Sequence, residues 1–294
     1  MWRGLGFVLG RTPGPWTISE RYGKYRRTDG VVGLPTCQDA VVARTALVTG
    51  VGRRRGIGAG IAAGLAADGW DLALSFWRPY DDRLGLERQP DDPEQLAAEL
   101  RQLGRKVELV PADLEDPVAA TTLVERVEEQ LGPLHALVMS HCEGVNSGVL
   151  DTTVASFDRH YAVNVRAAWL LLAAFARQLP TGGGSVIALT SDATVGNVPY
   201  GATKGALDRL ILASAHELGE RGLRANVINP GPVDTGWMDE QTRAGLLKMQ
   251  PTGRPGTPAD TANLVRFLLS DQGQWINGQL LHSNGGFPTG LLPI

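Results

Sequence analysis

From Arg44 onward the sequence alternates short apolar runs with longer stretches whose apolar residues recur at helical spacing, and that alternation constrains the fold more than any other feature. "TALVTG", "DLALSFW", "KVELVPADL", "HALVMS", "GSVIALTS", "RANVINPG" and "GQLLHSNGG" read as strands. Between them, "GIGAGIAAGLAADG", "DDPEQLAAELRQLG", "VAATTLVERVEEQLG", "SFDRHYAVNVRAAWLLLAAFARQL", "YGATKGALDRLILASAHELGERG" and "PADTANLVRFLLSD" read as helices. The strand runs are nearly all apolar, as strands covered on both faces must be. The expected fold is therefore α/β: a doubly wound parallel sheet of the Rossmann type, forming one domain over residues 44–294. Residues 1–43 differ in texture. "GRTPGPWTISERYGKYRRTDG" mixes Gly, Pro and basic residues without periodicity and reads as a partly disordered N-terminal extension.

Charge and composition narrow the partners. With 28 basic against 31 acidic residues the formal charge is −3, which gives no positive field for a phosphate backbone, so nucleic acid is not expected. No run reaches the ~18 to 20 apolar residues of a membrane helix, and "MWRGLGFVLG" is too short and glycine-broken for a secretory segment. Cys37 and Cys142 form no paired framework, which suits a reducing cytoplasm. The 5 histidines show no metal-ligand spacing, and "HELGE" lacks the second histidine of a zinc helix, so no metal is expected.

"LVTGVGRRRGIG" joins the first strand to the first helix. A glycine-rich turn there lets the backbone approach a pyrophosphate, and the helix N-terminus offers it unpaired N–H groups. Gly50, Gly56, Ile57 and Gly58 are the expected cradle, with Arg54 and Arg55, beside Arg53, adding charge. A tight turn that merely packs helix on strand is the other reading. The second strand ends "LSFWRPY", with no carboxylate for a ribose 2′-OH and with Arg78 in its place, which favours NADP over NAD; a solvated arginine is the alternative. In "NVPYGATKGAL", Tyr200 and Lys204 share one helix face. An ammonium beside a phenol stabilises the phenolate, so the tyrosine is expected to titrate below its usual range of about 10 and trade protons with a carbonyl.

Taken in order, "TGVGRRRGIG", "ADLED", "AVNVRA", "VIALTS", "YGATK", "NPGPVDTG" and "GQLLHSNGG" resemble the short-chain dehydrogenase/reductase family from about Arg44 to Phe287. The resemblance implies Tyr200 as general acid, Lys204 as the residue that tunes it and holds the nicotinamide ribose, Asn164 as anchor of a water in the proton relay, and Ser191 as the group polarising the carbonyl. It implies Asp113, Leu114 and Ser140 for the adenosine half of the cofactor. Pro230, Gly231, Val233 and Thr235 would line the nicotinamide. Asn164 bonding its own backbone and Thr235 capping a helix remain alternatives.

Three departures stand out. Five residues separate Gly50 from Gly56, a longer loop that resembles enoyl-carrier-protein reductases; those place the lysine further from the tyrosine, and seven before Lys204 stands Asn197. "MSHC" (139–142) replaces the family's usual "NNAG". Ser191 lies only nine residues before Tyr200, a shortened loop that leaves Thr190 and Thr194 as possible sharers of its role. The expectation is NADPH-dependent reduction of a ketone or aldehyde, 3-oxoacyl-reductase-like, by a homodimer or homotetramer acting on a small-molecule carbonyl substrate. An enoyl-thioester reductase and a non-catalytic NADP-binding regulator are the alternatives. The stretch "WMDEQTRAGLLKMQPTGRPG" is expected to face the substrate.

Overall fold

Strands form where the apolar runs stand. The computed structural model describes residues 44–86 and 89–288. Among these residues, β1 (Thr45–Thr49), β2 (Asp71–Ser75), β3 (Val107–Leu109), β4 (Leu134–Met139), β5 (Gly184–Leu189), β6 (Leu223–Asn229) and β7 (Leu280–His282) make one sheet, ordered β3-β2-β1-β4-β5-β6-β7. Every pairing is parallel. The doubly wound α/β fold expected from the sequence is therefore the one observed. The N-terminal extension expected over 1–43 lies outside the described residues.

The connecting helices are α1 (Ile57–Ala67), α2 (Arg78–Arg83), α3 (Asp92–Gln102), α4 (Pro117–Leu131), α5 (Val154–Tyr161), α6 (Ala167–Arg177), α7 (Val198–Glu217), α8 (Glu240–Met249) and α9 (Pro258–Leu269). Residues of a single strand point to opposite faces. Ala46 and Val48 pack with Ile61 and Leu65 of α1, Leu96 of α3 and Val265 of α9. Leu47, between them, packs with Leu123 of α4, Phe175 of α6 and Ile211 of α7. Two covered faces explain why the strand runs do not alternate with polar residues. Each such side chain, fully buried, is worth about 1.5–3 kcal/mol.

Two helices were not expected. In α2, Pro79 sits in the first turn, where a missing N–H costs nothing, and Asp81 favours the positive end of the helix dipole. Its "RPYDDR" is too short and polar to show periodicity. The other, α8, is started by Asp239, whose side chain accepts from the Thr242 amide at 2.7 Å, and it lies in the stretch expected to face the substrate. The one long helix read over 156–179 is instead broken by a π-helical turn, Ala162–Arg166, between α5 and α6. Such turns are frequent at functional sites.

The sheet turns back between β1 and β4: one chain half winds outward from β1 to β3, the other from β4 to β7. Ligands of open α/β sheets bind at the carboxyl ends of the strands at this switch point.

Candidate active site

A cavity of about 240 Å³ opens at that switch point. The glycine loop after β1 contributes Gly50, Arg53, Gly56 and Ile57; the loop after β3 contributes Asp113 and Leu114. The loop after β4 adds Ser140, His141, Cys142 and Glu143, α7 adds Tyr200 and Lys204, and the chain after β6 adds Pro230 and Thr235. Segments far apart in sequence meet here because each follows the carboxyl end of a strand.

The cradle is built by close approach. Gly50 has φ +75° and abuts the Ser140 and His141 backbone, where a Cβ would stand 2.7 Å from main-chain atoms. A Cβ on Gly58 would meet the Gly50 carbonyl oxygen at 2.7 Å. The N-cap of α1 is Gly56, with no side chain bonding the first-turn amides and no acidic residue in that turn. Unpaired N–H groups and the helix dipole therefore face the cavity, an arrangement that suits a phosphate.

The three consecutive arginines go to three places. Arg53 turns inward, donating to the Thr235 carbonyl at 2.8 Å and pairing with Asp81 at 3.2 Å. Arg54 bonds Gln95 and Glu99 of α3. Arg55 approaches Asp234 at 3.6 Å.

At the other end of the cavity stands Tyr200, and the Ser191 hydroxyl, outside the cavity lining, lies near enough to pull the phenol's pKa down. The Lys204 Nζ lies 5.6 Å from the Tyr200 ring centroid and donates to the Leu189 carbonyl at 2.8 Å. Thr190 is spent on α7, its Oγ1 3.4 Å from the Lys204 carbonyl oxygen. Thr194 keeps a buried hydroxyl without a partner. Of the three hydroxyls weighed for the role, Ser191 is the one that acts on the tyrosine.

The model of the enoyl-(acyl carrier protein) reductase family matches residues 50–288. This chain belongs to the short-chain dehydrogenase/reductase family. Among curated relatives, the uncharacterized oxidoreductase YjdA of Bacillus subtilis is 34% identical over 84% of this chain and 98% of its own length. An Arabidopsis thaliana NADPH-dependent aldehyde reductase-like protein is 32% identical over 83% and 94%, respectively. Among solved structures, a short-chain dehydrogenase of Burkholderia cenocepacia in complex with NADP is 34% identical with a TM-score of 0.74, covering 83% of this chain and 97% of that one. A metagenomic blue fluorescent protein in complex with NADPH is 31% identical over the same shares, again with a TM-score of 0.74.

Within this short-chain dehydrogenase/reductase, burial reverses one expectation. It pushes the Tyr200 phenol up rather than down, the nearby Cys142 acts in the same sense, and the Ser191 hydroxyl opposes both. Loss of water is the largest cause of the shift, and the Lys204 ammonium is engaged with the Leu189 carbonyl. Burial likewise pushes the Lys204 amine down, with Cys142 and Asp208 opposing. Burial thus favours the neutral phenol at Tyr200.

Asn164 sits in the π-helical turn, 1% exposed. Its side chain accepts from the Glu143 amide at 2.8 Å and donates to the Glu143 carbonyl and the Thr203 hydroxyl, both at 2.9 Å. It bonds neighbouring elements rather than its own backbone, clasping the β4 loop to α7. Several residues expected at the cofactor do not line the cavity: Arg54, Arg55, Gly58, Gly231, Val233 and Arg78. Gly231 packs against Asn284 and Val233 bridges to Gly256. Arg78 opens α2 facing α3, pairs with Glu94 at 2.6 Å and stacks on Phe76.

His141 is the residue that sequence reasoning passed over. Its Nδ1 lies 2.7 Å from Thr49 Oγ1 and its Nε2 3.2 Å from the Val163 carbonyl oxygen. A carbonyl only accepts, so Nε2 carries the proton and Nδ1 accepts from the threonine. In the "MSHC" stretch, one neutral imidazole thus ties β1, the β4 loop and the π-helical turn together. The only signal in the sequence was the departure from "NNAG". Tyr80, Asp81 and Arg83, from a helix not expected at all, also line the cavity. Among the described residues no group of His, Cys, Asp and Glu is placed to hold a metal ion. No described helix is long and apolar enough to cross a membrane.

Proposed function

We propose that the protein reduces a ketone or aldehyde carbonyl, 3-oxoacyl-reductase-like, with NADPH. The observation that carries this reading is Tyr200 with Lys204 beside it on α7, both lining a cavity that also contains the α1 phosphate cradle, with the Ser191 hydroxyl acting on the Tyr200 phenol. When bound, NADPH would supply the hydride. Gly50, Gly56 and Ile57 would hold its pyrophosphate, Asp113, Leu114 and Ser140 its adenosine half, and Pro230 and Thr235 its nicotinamide. Tyr200 gives its phenolic proton to the carbonyl oxygen, and Ser191 donates to that oxygen as negative charge develops. Lys204 keeps a positive charge beside the phenolate left behind, and Asn164 fixes the loop and helix that carry these groups. The relatives with NADPH or aldehyde reductase in their names support this reading.

The test is NADPH oxidation against a panel of ketones, aldehydes, acetoacetyl thioesters and crotonyl thioesters. Turnover of the carbonyls is expected. The five-residue glycine loop favours one second reading, an enoyl-thioester reductase, and turnover of the crotonyl thioester alone would establish it instead. Nucleotide binding with no turnover of any compound would leave a regulator.

For cofactor choice, Arg78→Ala should weaken NADPH by ~1–3 kcal/mol, the scale of a charge-assisted hydrogen bond, and leave NADH nearly unchanged. Equal losses in calorimetric titrations would remove Arg78 from the 2′-phosphate site, and no loss of either cofactor would leave it to its Glu94 pair alone. A parent that prefers NADH would overturn the NADPH assignment.

A homodimer or homotetramer is expected. Val154, Phe157 and Tyr161 form an exposed apolar stripe on α5, and Trp169 of α6 is 53% exposed. Surfaces of this kind mark contact with another chain. Light scattering at micromolar concentration should show the oligomer, and Trp169→Glu should shift it toward monomer; a monomeric parent would contradict the expectation.

A further inference from the structure

The short helix α2 lies inside the groove that the proposed function assigns to the dinucleotide. Asp81, 6% exposed, pairs with Arg53, and its Oδ2 lies 2.5 Å from where a Cβ on Gly52 would stand. A carboxylate therefore occupies the lip of the phosphate cradle. Tyr80 reaches the opposite end. Its hydroxyl and the Tyr200 ring both lie 3.5 Å from the point where a Cβ on Gly144 would stand, and Cys142 is close enough to push the hydroxyl's pKa up. Arg83 completes the span by pairing with the buried Glu143 carboxylate at 2.5 Å.

The space left is small. Its volume of about 240 Å³ falls below the ~300–1,000 Å³ of pockets that take drug-sized ligands. Residues expected at the adenosine end and the nicotinamide end nevertheless line the same cavity. An incoming pyrophosphate would also meet the Asp81 carboxylate, a like charge at close range in a poorly solvated site.

What holds α2 in place is largely polar. Asp81 is its one buried residue, so it adds no apolar side chain to the core, and elements with few apolar contacts open at low cost. It is flanked by the extended Trp77 and by Gly85, which has φ +61° and nothing within 4 Å of its Cβ position.

We propose that α2 is an internal plug: in the free protein, Asp81 stands in for a cofactor phosphate against Arg53 and Tyr80 for ribose hydroxyls beside Tyr200. The nucleotide enters only when the segment swings out about Trp77 and Gly85. The proposal rests on reading the groove as an NADPH site.

Two binding measurements and one exchange measurement test it. In stopped flow, the observed rate of NADPH binding to the parent should level off with concentration, because opening becomes limiting. Asp81→Asn and Tyr80→Ala should remove that plateau and tighten NADPH about tenfold if the open form is about one-tenth populated in the parent. Tyr80→Ala is the discriminating variant, since losing Asp81 also strengthens the positive potential on its own. In the unmodified protein, NADPH should speed hydrogen exchange at residues 80–85 while slowing it at 56–60. Linear binding rates with unchanged or weakened affinity in Tyr80→Ala, or slowed exchange at 80–85, would overturn the plug and leave α2 as part of the nucleotide site. If neither the parent nor either variant binds NADPH or NADH, the nucleotide reading itself fails and the plug with it.

Discussion

Tyr200→Phe should lower kcat for carbonyl reduction by roughly 10²–10⁴, the range supplied by a positioned proton donor, while NADPH affinity stays within about threefold of the parent. The ring remains to fill the cavity wall beside Lys204, so only the proton is lost. Ser191→Ala removes the hydroxyl that acts on that phenol and should cost roughly 10² or more in kcat. Thr194→Ala should cost much less, because the Thr194 hydroxyl is buried without a hydrogen-bond partner, Tyr200 included. Steady-state kinetics on the three variants, with NADPH titrations alongside, give the comparison. A crippled Thr194→Ala beside a mild Ser191→Ala would move the donor along the shortened loop. Parent-like turnover in all three would remove this constellation from the chemistry. The pH profile adds an independent check. Because burial pushes the phenol up, the reductive rate should not fall through loss of the Tyr200 proton below the ordinary tyrosine range of about 10.

How much of this was legible beforehand depends on how local the cause is. Strands such as "GSVIALTS" and helices such as "VAATTLVERVEEQLG" declare themselves because burial on a sheet face and helical periodicity are written into neighbouring residues. The positions of Tyr200 and Lys204 follow from the same locality, four residues on one helix face. The three arginines were not separable from sequence: adjacent in the chain, they are claimed by Thr235 and Asp81, by α3, and by Asp234, partners that only the fold brings near. The same holds for α2, whose six residues, four of them charged, carry no period and whose position is set by Arg53, Cys142 and Glu143. The direction of the Tyr200 shift was misjudged because spacing shows the neighbouring ammonium but not the loss of water. His141 depends on partners 92 and 22 residues away, a join invisible until β1, β4 and the π-helical turn are assembled.

That join sets the second large expectation, an acid-dependent stability owed to a histidine that never charges. Burial, with the Lys204 charge adding to it, pushes His141 down to about 3, against about 6.5 for an unfolded histidine. Between those values the unfolded chain takes up a proton that the folded chain refuses, so stability falls as pH falls. The contribution is fully present above about pH 6.5 and is lost progressively toward pH 3, at about 1.4 kcal/mol per unit. His135, also pushed down by burial, adds in the same sense. Lowered carboxylates such as Asp68 and Asp260 join only as pH nears the carboxylate range. Comparison with His141→Leu isolates the imidazole. The leucine takes away the partner of the Val163 carbonyl and one partner of the Thr49 hydroxyl, which keeps its bonds to the Val138 carbonyl and the Ser140 amide, and should cost about 1–3 kcal/mol at pH 7.5. It titrates no proton, however, so its stability should decline less steeply between about pH 6.5 and 4.5, and the two curves should converge on acidification. Urea unfolding across that window measures both slopes. Parallel curves would mean that His141 takes up its proton in the folded state as readily as in the unfolded one, and that the Thr49–His141–Val163 tie is not the neutral bridge its geometry describes.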